Sequence, residues 1–173
     1  MRLFYAILFP NDFKAALAET MEMISKTQGG LKGNFTPADN LHLTLAFIGE
    51  REDITPAKEA LNAVSFPPFE LSLERLGIFK GSSLVYASLK KSPQCEKLTA
   101  DIKAQLSIRG VDFDDKPFKP HITLIRKALG GLPEKTELPR ASFMVHRVSL
   151  MDSSRISGRQ VYRQIYYKND NEE

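Results

Sequence analysis

A chain of 173 residues is long enough for one domain, or for two small lobes sharing a core, and its 42% apolar and 26% charged residues are an ordinary globular balance. A net charge of +3 permits a basic groove for an anionic ligand without requiring one. The single cysteine, Cys95 in the polar stretch SPQCEKL, excludes an intramolecular disulfide and a Cys-rich metal cluster, and reads as an inert thiol near a helix start.

The chain opens on MRLFYAILFPND, whose apolar run is too short, and lacks the small-residue cleavage site, for a signal peptide. RLFYAILF therefore reads as a first strand. NDFKAALAETMEMISKTQGG carries Phe13, Leu17, Met21 and Ile24 at helical spacing, with Asn11 or Asp12 to cap it and Gly29–Gly30 to stop it. Residues 31–40 read as a loop through Gly33, Pro37 and Asp39. LHLTLAFIG follows as a strand, then DITPAKEALNAV as a helix with Pro56 in its first turn. FELSLERLGIF and SLVYASL form a hairpin about KGS, Gln94 to Ile108 a third helix, and PHITLI a further strand. ASFMVHRVSLMD and RQVYRQIYYK read as a last hairpin about SSRISG, and residues 169–173 as a disordered tail. No stretch approaches a membrane span, so a reduced, cytoplasmic setting is expected.

Strands and helices in this order do not alternate one to one. That disfavours a doubly wound parallel sheet and predicts an α+β fold with antiparallel sheets, a single domain over residues 1–173. A strand of the form H-hydrophobic-T-L occurs twice, at positions 79 residues apart, which suggests two pseudo-symmetric lobes.

The two copies are His42-Leu43-Thr44-Leu45 and His121-Ile122-Thr123-Leu124. A threonine two places after two of only three histidines is a coincidence on the order of 1%. In a strand, residues i and i+2 share a face, so each copy presents one imidazole and one hydroxyl while its aliphatic residues turn to the core. Two such strands across a groove suit in-line displacement at phosphorus. One imidazole serves as base beside the entering oxygen, the other as acid beside the leaving oxygen. Threonine hydroxyls donate to the oxygens that carry charge between them. Other readings of the same residues are ordinary strand histidines, a zinc site and a histidine nucleophile. The zinc site lacks a third ligand at suitable spacing. His146, in MVHRV, has no matching threonine and reads as a structural strand residue.

The paired motifs resemble those of the two-histidine phosphoesterase superfamily. Their context is similar to its bacterial and archaeal RNA 2′,3′-cyclic phosphodiesterases, once called 2′-5′ RNA ligases. RLFYAILFP, PADNLHLTLAFIGE, FKPHITLIRK and VSLMDSSRISGRQVYRQI carry the likeness over nearly the whole chain. The resemblance implies two lobes with antiparallel sheets around a central groove, helices outside. It implies His42 as proton donor to the leaving 3′-oxygen, His121 as proton acceptor from water, and Thr44 and Thr123 on the phosphate. The implied product is a 2′-phosphate. The implied partners are RNA ends or nucleotides with a 2′,3′-cyclic phosphate, handled by a monomer without metal or cofactor.

The family also tends to keep an arginine five places after the second histidine, here Arg126. A guanidinium suits a phosphate. Strict alternation places it on the face opposite His121 and Thr123, so it reaches the groove only if the strand ends or bulges. Lys116 and Lys119 read as surface lysines near the groove mouth, and Phe35 as either a base-stacking or a core residue. Two other functions compete: RNA 2′-5′ joining by the reverse reaction, and a non-catalytic RNA-binding module.

Overall fold

Strand β1 (Arg2–Leu8) leads into helix α1 (Asn11–Lys26), β2 (Lys32–Phe35), a 3-10 turn (Ala38–Asn40), β3 (His42–Glu50) and α2 (Thr55–Asn62). The hairpin β4 (Phe69–Phe79) and β5 (Leu84–Leu89), α3 (Pro93–Ile108) and β6 (His121–Leu129) follow, then β7 (Ser142–Val145), β8 (Arg147–Ile156) and β9 (Arg159–Asn169). These come from a computed structural model that describes residues 1–27, 29–132 and 136–171.

The strands form two antiparallel sheets in an α+β fold, one ordered β3-β1-β8-β9 and the other β2-β6-β5-β4-β7. The two motif strands fall in different sheets. The sheets are not successive halves of the chain: β2 crosses to pair with β6, and β8 and β9 return to pair with β1. The helices bury their predicted faces in one core with both sheets. Phe13, Leu17, Met21 and Ile24 do so from α1, and Leu98, Ile102 and Leu106 from α3. Ser92 caps α3, its hydroxyl accepting from the Cys95 amide at 3.2 Å, with Pro93 in the first turn. No helix among the described residues is long and apolar enough to cross a membrane.

Leu43, Leu45, Ile122 and Leu124 are all buried in this core. Each gains about 1.5–3 kcal/mol by leaving water, so a one-residue slip that exposed them is strongly disfavoured. That fixes the opposite face of both motif strands toward the groove. The first sheet carries a second, small apolar cluster on that face: Phe4, Ala6 and Met151, flanked by Phe47 and Tyr162.

Four expectations are corrected. Residues 31–40 are not simply a loop but hold β2 and the 3-10 turn; KGNF is a short, mostly exposed edge strand with no apolar alternation to betray it. ASFMVHRVSLMD is not one strand. It breaks at His146, which lies between β7 and β8 with its Nδ1 2.7 Å from Asp170 Oδ2, so β7 pairs with β4 in one sheet and β8 with β1 in the other. SSRISG is mostly strand: the turn is Ser157–Gly158 alone, both at positive φ (52° and 78°), the two-residue geometry that matches strand twist. The predicted disorder fails for residues 169–171: Asn169 closes β9, and the amides of Asp170 and Asn171 donate to the carbonyls of His146 and Phe66. Residues 172–173 lie outside the described residues.

Candidate active site

His42 and His121 begin their strands in the same local setting. Each ring places Nδ1 2.7 Å from the carbonyl two residues earlier, Asn40 for His42 and Lys119 for His121. A carbonyl only accepts, so Nδ1 carries the proton and Nε2 is the basic nitrogen of the neutral ring. Thr44 Oγ1 lies 3.0 Å from His42 Nε2 and donates to it in the neutral ring. The Asn40 carbonyl is itself held in place, since the Asn40 side chain donates to the Gln160 carbonyl of β9 at 3.0 Å.

Aromatic rings wall both imidazoles. Phe4 and Tyr162 lie 5.2 and 4.8 Å from the His42 ring centre, and Phe79 and Tyr86 lie 5.2 and 5.9 Å from that of His121. Phe79 and Tyr86 stack on each other at 4.2 Å, and Tyr86 lies directly over Gly77, where a Cβ would come within 2.4 Å of its ring. Burial holds His42 below the ordinary imidazole range. The bond to Asn40 opposes that shift, while the charges of Arg126 and His121 reinforce it.

His42, Thr44, Thr123 and Arg126 line one cavity of about 580 Å³ between the sheets. His121 is not among the lining residues, but it shares the face of Thr123 two positions on, and its charge reaches His42. Arg126 reaches the groove because β6 bulges. Thr123 pairs with Tyr86 and Ile125 with Val85, leaving Leu124 as the extra residue. Leu124 and Ile125 are then both buried, and Arg126 turns to the side of His121 and Thr123. The bulge is secured from outside the strand: the Thr36 amide donates to the Leu124 carbonyl at 2.8 Å and the Thr36 hydroxyl to the Thr123 carbonyl at 3.0 Å.

Sequence reasoning missed several cavity residues: Arg2, Phe4 and Phe47 on β1 and β3, and Arg155, Gln160 and Tyr162 on the β8–β9 hairpin. The i, i+2 pattern of a strand puts Arg2 and Phe4 on one face of β1; Phe47 was hidden by a bulge, Arg155 by reading SSRISG as loop, and Gln160 and Tyr162 lie in a strand read from the sequence without its faces being assigned. Phe35 packs against the core and also lines the cavity. Lys116 and Lys119 do not line the cavity; Lys116 pairs with Asp114 at 3.5 Å. Arg2, Arg126 and Arg155 line it, and no carboxylate does among the described residues. No group of three or more His, Cys, Asp and Glu side chains placed to hold a metal occurs among the described residues.

The chain is similar to proteins of known class. The model of the 2′-5′ RNA ligase superfamily matches residues 13–156. A curated relative from Thermus thermophilus, named RNA 2′,3′-cyclic phosphodiesterase, is 36% identical over 139 residues, 73% of this chain and 69% of its own length. Another of the same name from Escherichia coli is 30% identical over 93% of this chain and 92% of its own. The crystal structure of E. coli LigT complexed with NADP+ superposes with a TM-score of 0.81 at 28% identity, covering 99% of this chain and 98% of that one. Its complex with 3′-AMP gives a TM-score of 0.78 at 27% identity, with the same coverage. With the match spanning most of the chain and both motif strands inside it, the chain belongs to the 2′-5′ RNA ligase superfamily.

Proposed function

We propose that this protein hydrolyses 2′,3′-cyclic phosphates at RNA ends, leaving a 2′-phosphate, by acid–base catalysis with His42 and His121. The observation that carries the reading is the matched pair of imidazoles, each with Nδ1 tied to a backbone carbonyl, which makes Nε2 the nitrogen for proton transfer. The names of the curated relatives, and the 3′-AMP bound to LigT, point the same way.

In this reading His121 Nε2 takes a proton from water as the water oxygen bonds to phosphorus. The P–O3′ bond breaks, and His42 Nε2–H delivers its proton to the leaving 3′-oxygen. Thr44, Thr123 and Arg126 hold the non-bridging oxygens. Burial works against a charged His42, and a cyclic phosphate monoanion in the groove offsets that by favouring imidazolium. The superfamily's name favours a second reading, RNA joining, in which a 5′-hydroxyl replaces water in the same geometry.

The test is to incubate the protein, in chelator, with an oligonucleotide ending in a 2′,3′-cyclic phosphate and identify the terminal phosphate. A 2′-phosphate is expected. An unchanged cyclic end, or a 3′-phosphate, overturns the assignment.

A further inference from the structure

The groove holds more positive charge than one phosphate needs. Arg2 and Arg155 line it together with Arg126. The Arg2 guanidinium sits over the Phe47 ring, 5.0 Å from its centre, a seat that fixes a long side chain without neutralising it. The neighbouring carboxylate does not neutralise it either. Asp152 accepts from the Arg163 side chain at 3.0 Å and from the backbone amide of Arg2 at 3.1 Å. Among the described residues, neither Arg2 nor Arg155 has a carboxylate at ion-pair distance.

The backbone of Arg2 lies apart from His42: Arg2 pairs with Glu50, at the opposite end of the β1–β3 ladder from the Leu8–His42 pair. Phe47, on which Arg2 is seated, lies five residues past His42 with one bulged residue between them, so the backbones of Phe47 and His42 are about 13 Å apart along the strand. From β8, Ser153 and Arg155 face the same cavity. The floor between is Phe4, Phe47 and Tyr162, apolar and aromatic, suited to a base or ribose rather than to a second anion.

We propose that Arg2, seated on Phe47, and Arg155 form a second anion subsite that holds an internucleotide phosphate of the strand leading to the cyclic end. The protein then prefers oligonucleotide ends over cyclic mononucleotides. This rests on the phosphodiesterase reading above and adds to it the length of substrate.

The experiment compares kcat/KM for a mononucleoside 2′,3′-cyclic phosphate and for a trinucleotide with the same cyclic end, in the wild type and in Arg2→Gln and Arg155→Gln. The wild type is expected to favour the trinucleotide, and each variant to lower the trinucleotide-to-mononucleotide ratio at least tenfold. The salt slope of trinucleotide KM is expected to become shallower by about 0.7, the share of one single-strand phosphate no longer neutralised by a cation. Arg2→Lys is expected to restore part of the ratio, since it keeps the charge and loses the flat stack. Thermal melting of each variant shows whether it is folded, and Arg155→Gln carries the test if Arg2→Gln is not. Equal losses on both substrates, or a wild type that hydrolyses both without preference, overturn the subsite alone. A wild type that hydrolyses neither overturns the phosphodiesterase reading and the subsite with it.

Discussion

Phe47 and Arg126 stand at the same place in the two halves of the site, each five residues past its histidine on a strand that bulges at the third residue, Leu45 or Leu124. The bulges turn both side chains into one cavity. The near two-fold site is thus broken by chemistry rather than by geometry, with a guanidinium on one side and a phenyl ring on the other. A phosphate with two equivalent imidazoles needs such a break to be held in one orientation.

Arg126 is expected to act twice, on the phosphate and on His42. Its charge is one of the forces holding the His42 pKa down. Arg126→Gln is expected to lower kcat/KM by about 10²-fold, the scale of removing one charge-assisted hydrogen bond to a developing charge. It is also expected to move the limb of the pH–rate profile due to His42 upward. Arg126→Lys keeps the charge but not the fork, and falls between. A variant with wild-type kcat/KM and an unshifted profile removes Arg126 from the site.

His42→Ala and His121→Ala are each expected to lower turnover by at least about 10²-fold with the fold intact, because neither ring is part of the main core. Thr44→Ala and Thr123→Ala cost less, and serine at either position restores much of the activity, since the hydroxyl is what serves. Circular dichroism and melting check the fold. Near-wild-type turnover in either histidine variant defeats the acid–base pair.

Gly77→Ala is expected to reduce activity from a position that touches no substrate. A Cβ there meets the Tyr86 ring within 2.4 Å, and Tyr86 stacks on Phe79 beside His121. Displacing that pair loosens one wall of the imidazole, so kcat is expected to fall several-fold. Gly77→Ala/Tyr86→Phe removes only the hydroxyl contact and leaves the ring clash, so it does not rescue. Gly77→Ala/Tyr86→Ala clears the clash and tests whether the wall or the glycine matters. Unchanged kinetics in Gly77→Ala show that the wall has no role.

The elements with regular apolar spacing were legible because burial imposes that spacing, as in α1, α3 and β3, and β1 was legible as a short apolar run buried on both faces. The H-x-T pairs were legible because two residues on one strand face need no tertiary information. Arg126 was not settled by its own strand. Its direction depends on a bulge secured by Thr36, a residue from a segment that reads as loop. Ser153 and Arg155 escaped notice because serine, glycine and arginine resemble a turn until the pairing of β8 with β9 extends the strands. The break at His146 is likewise a property of two sheets meeting, which no local pattern records.

Acid should weaken the fold through His42. Burial lowers its pKa in the folded chain below the unfolded value of about 6.5. As pH falls through 6.5, the unfolded chain takes up this proton first. The unfolded state then holds more protons, so stability drops from about pH 6.5 down to the lowered folded pKa and is flat with respect to this group above it. His42→Gln removes the linkage. Denaturant melts across that window are expected to show a smaller loss of stability in the variant than in the wild type. Parallel pH curves rule out a depressed His42.

Hydrolysis is expected to continue undiminished in excess chelator and to depend on pH as a bell. Both Nδ1 atoms are committed to carbonyls, and no third donor among the described residues joins the two Nε2 atoms in a metal-binding group. Charge at phosphorus then falls to Thr44, Thr123 and Arg126. The acid must be imidazolium while the base is imidazole, so raising the pH discharges the acid, lowering it protonates the base, and the rate falls on both sides. The His121 charge pushes the His42 pKa down, and the two limbs therefore belong to the pair until variants separate them. Loss of activity in chelator with recovery on adding a divalent cation would make the histidines ligands. A profile with one limb rising toward high pH would put hydroxide in place of His121. Either result removes the two-histidine mechanism even with the substrate correct.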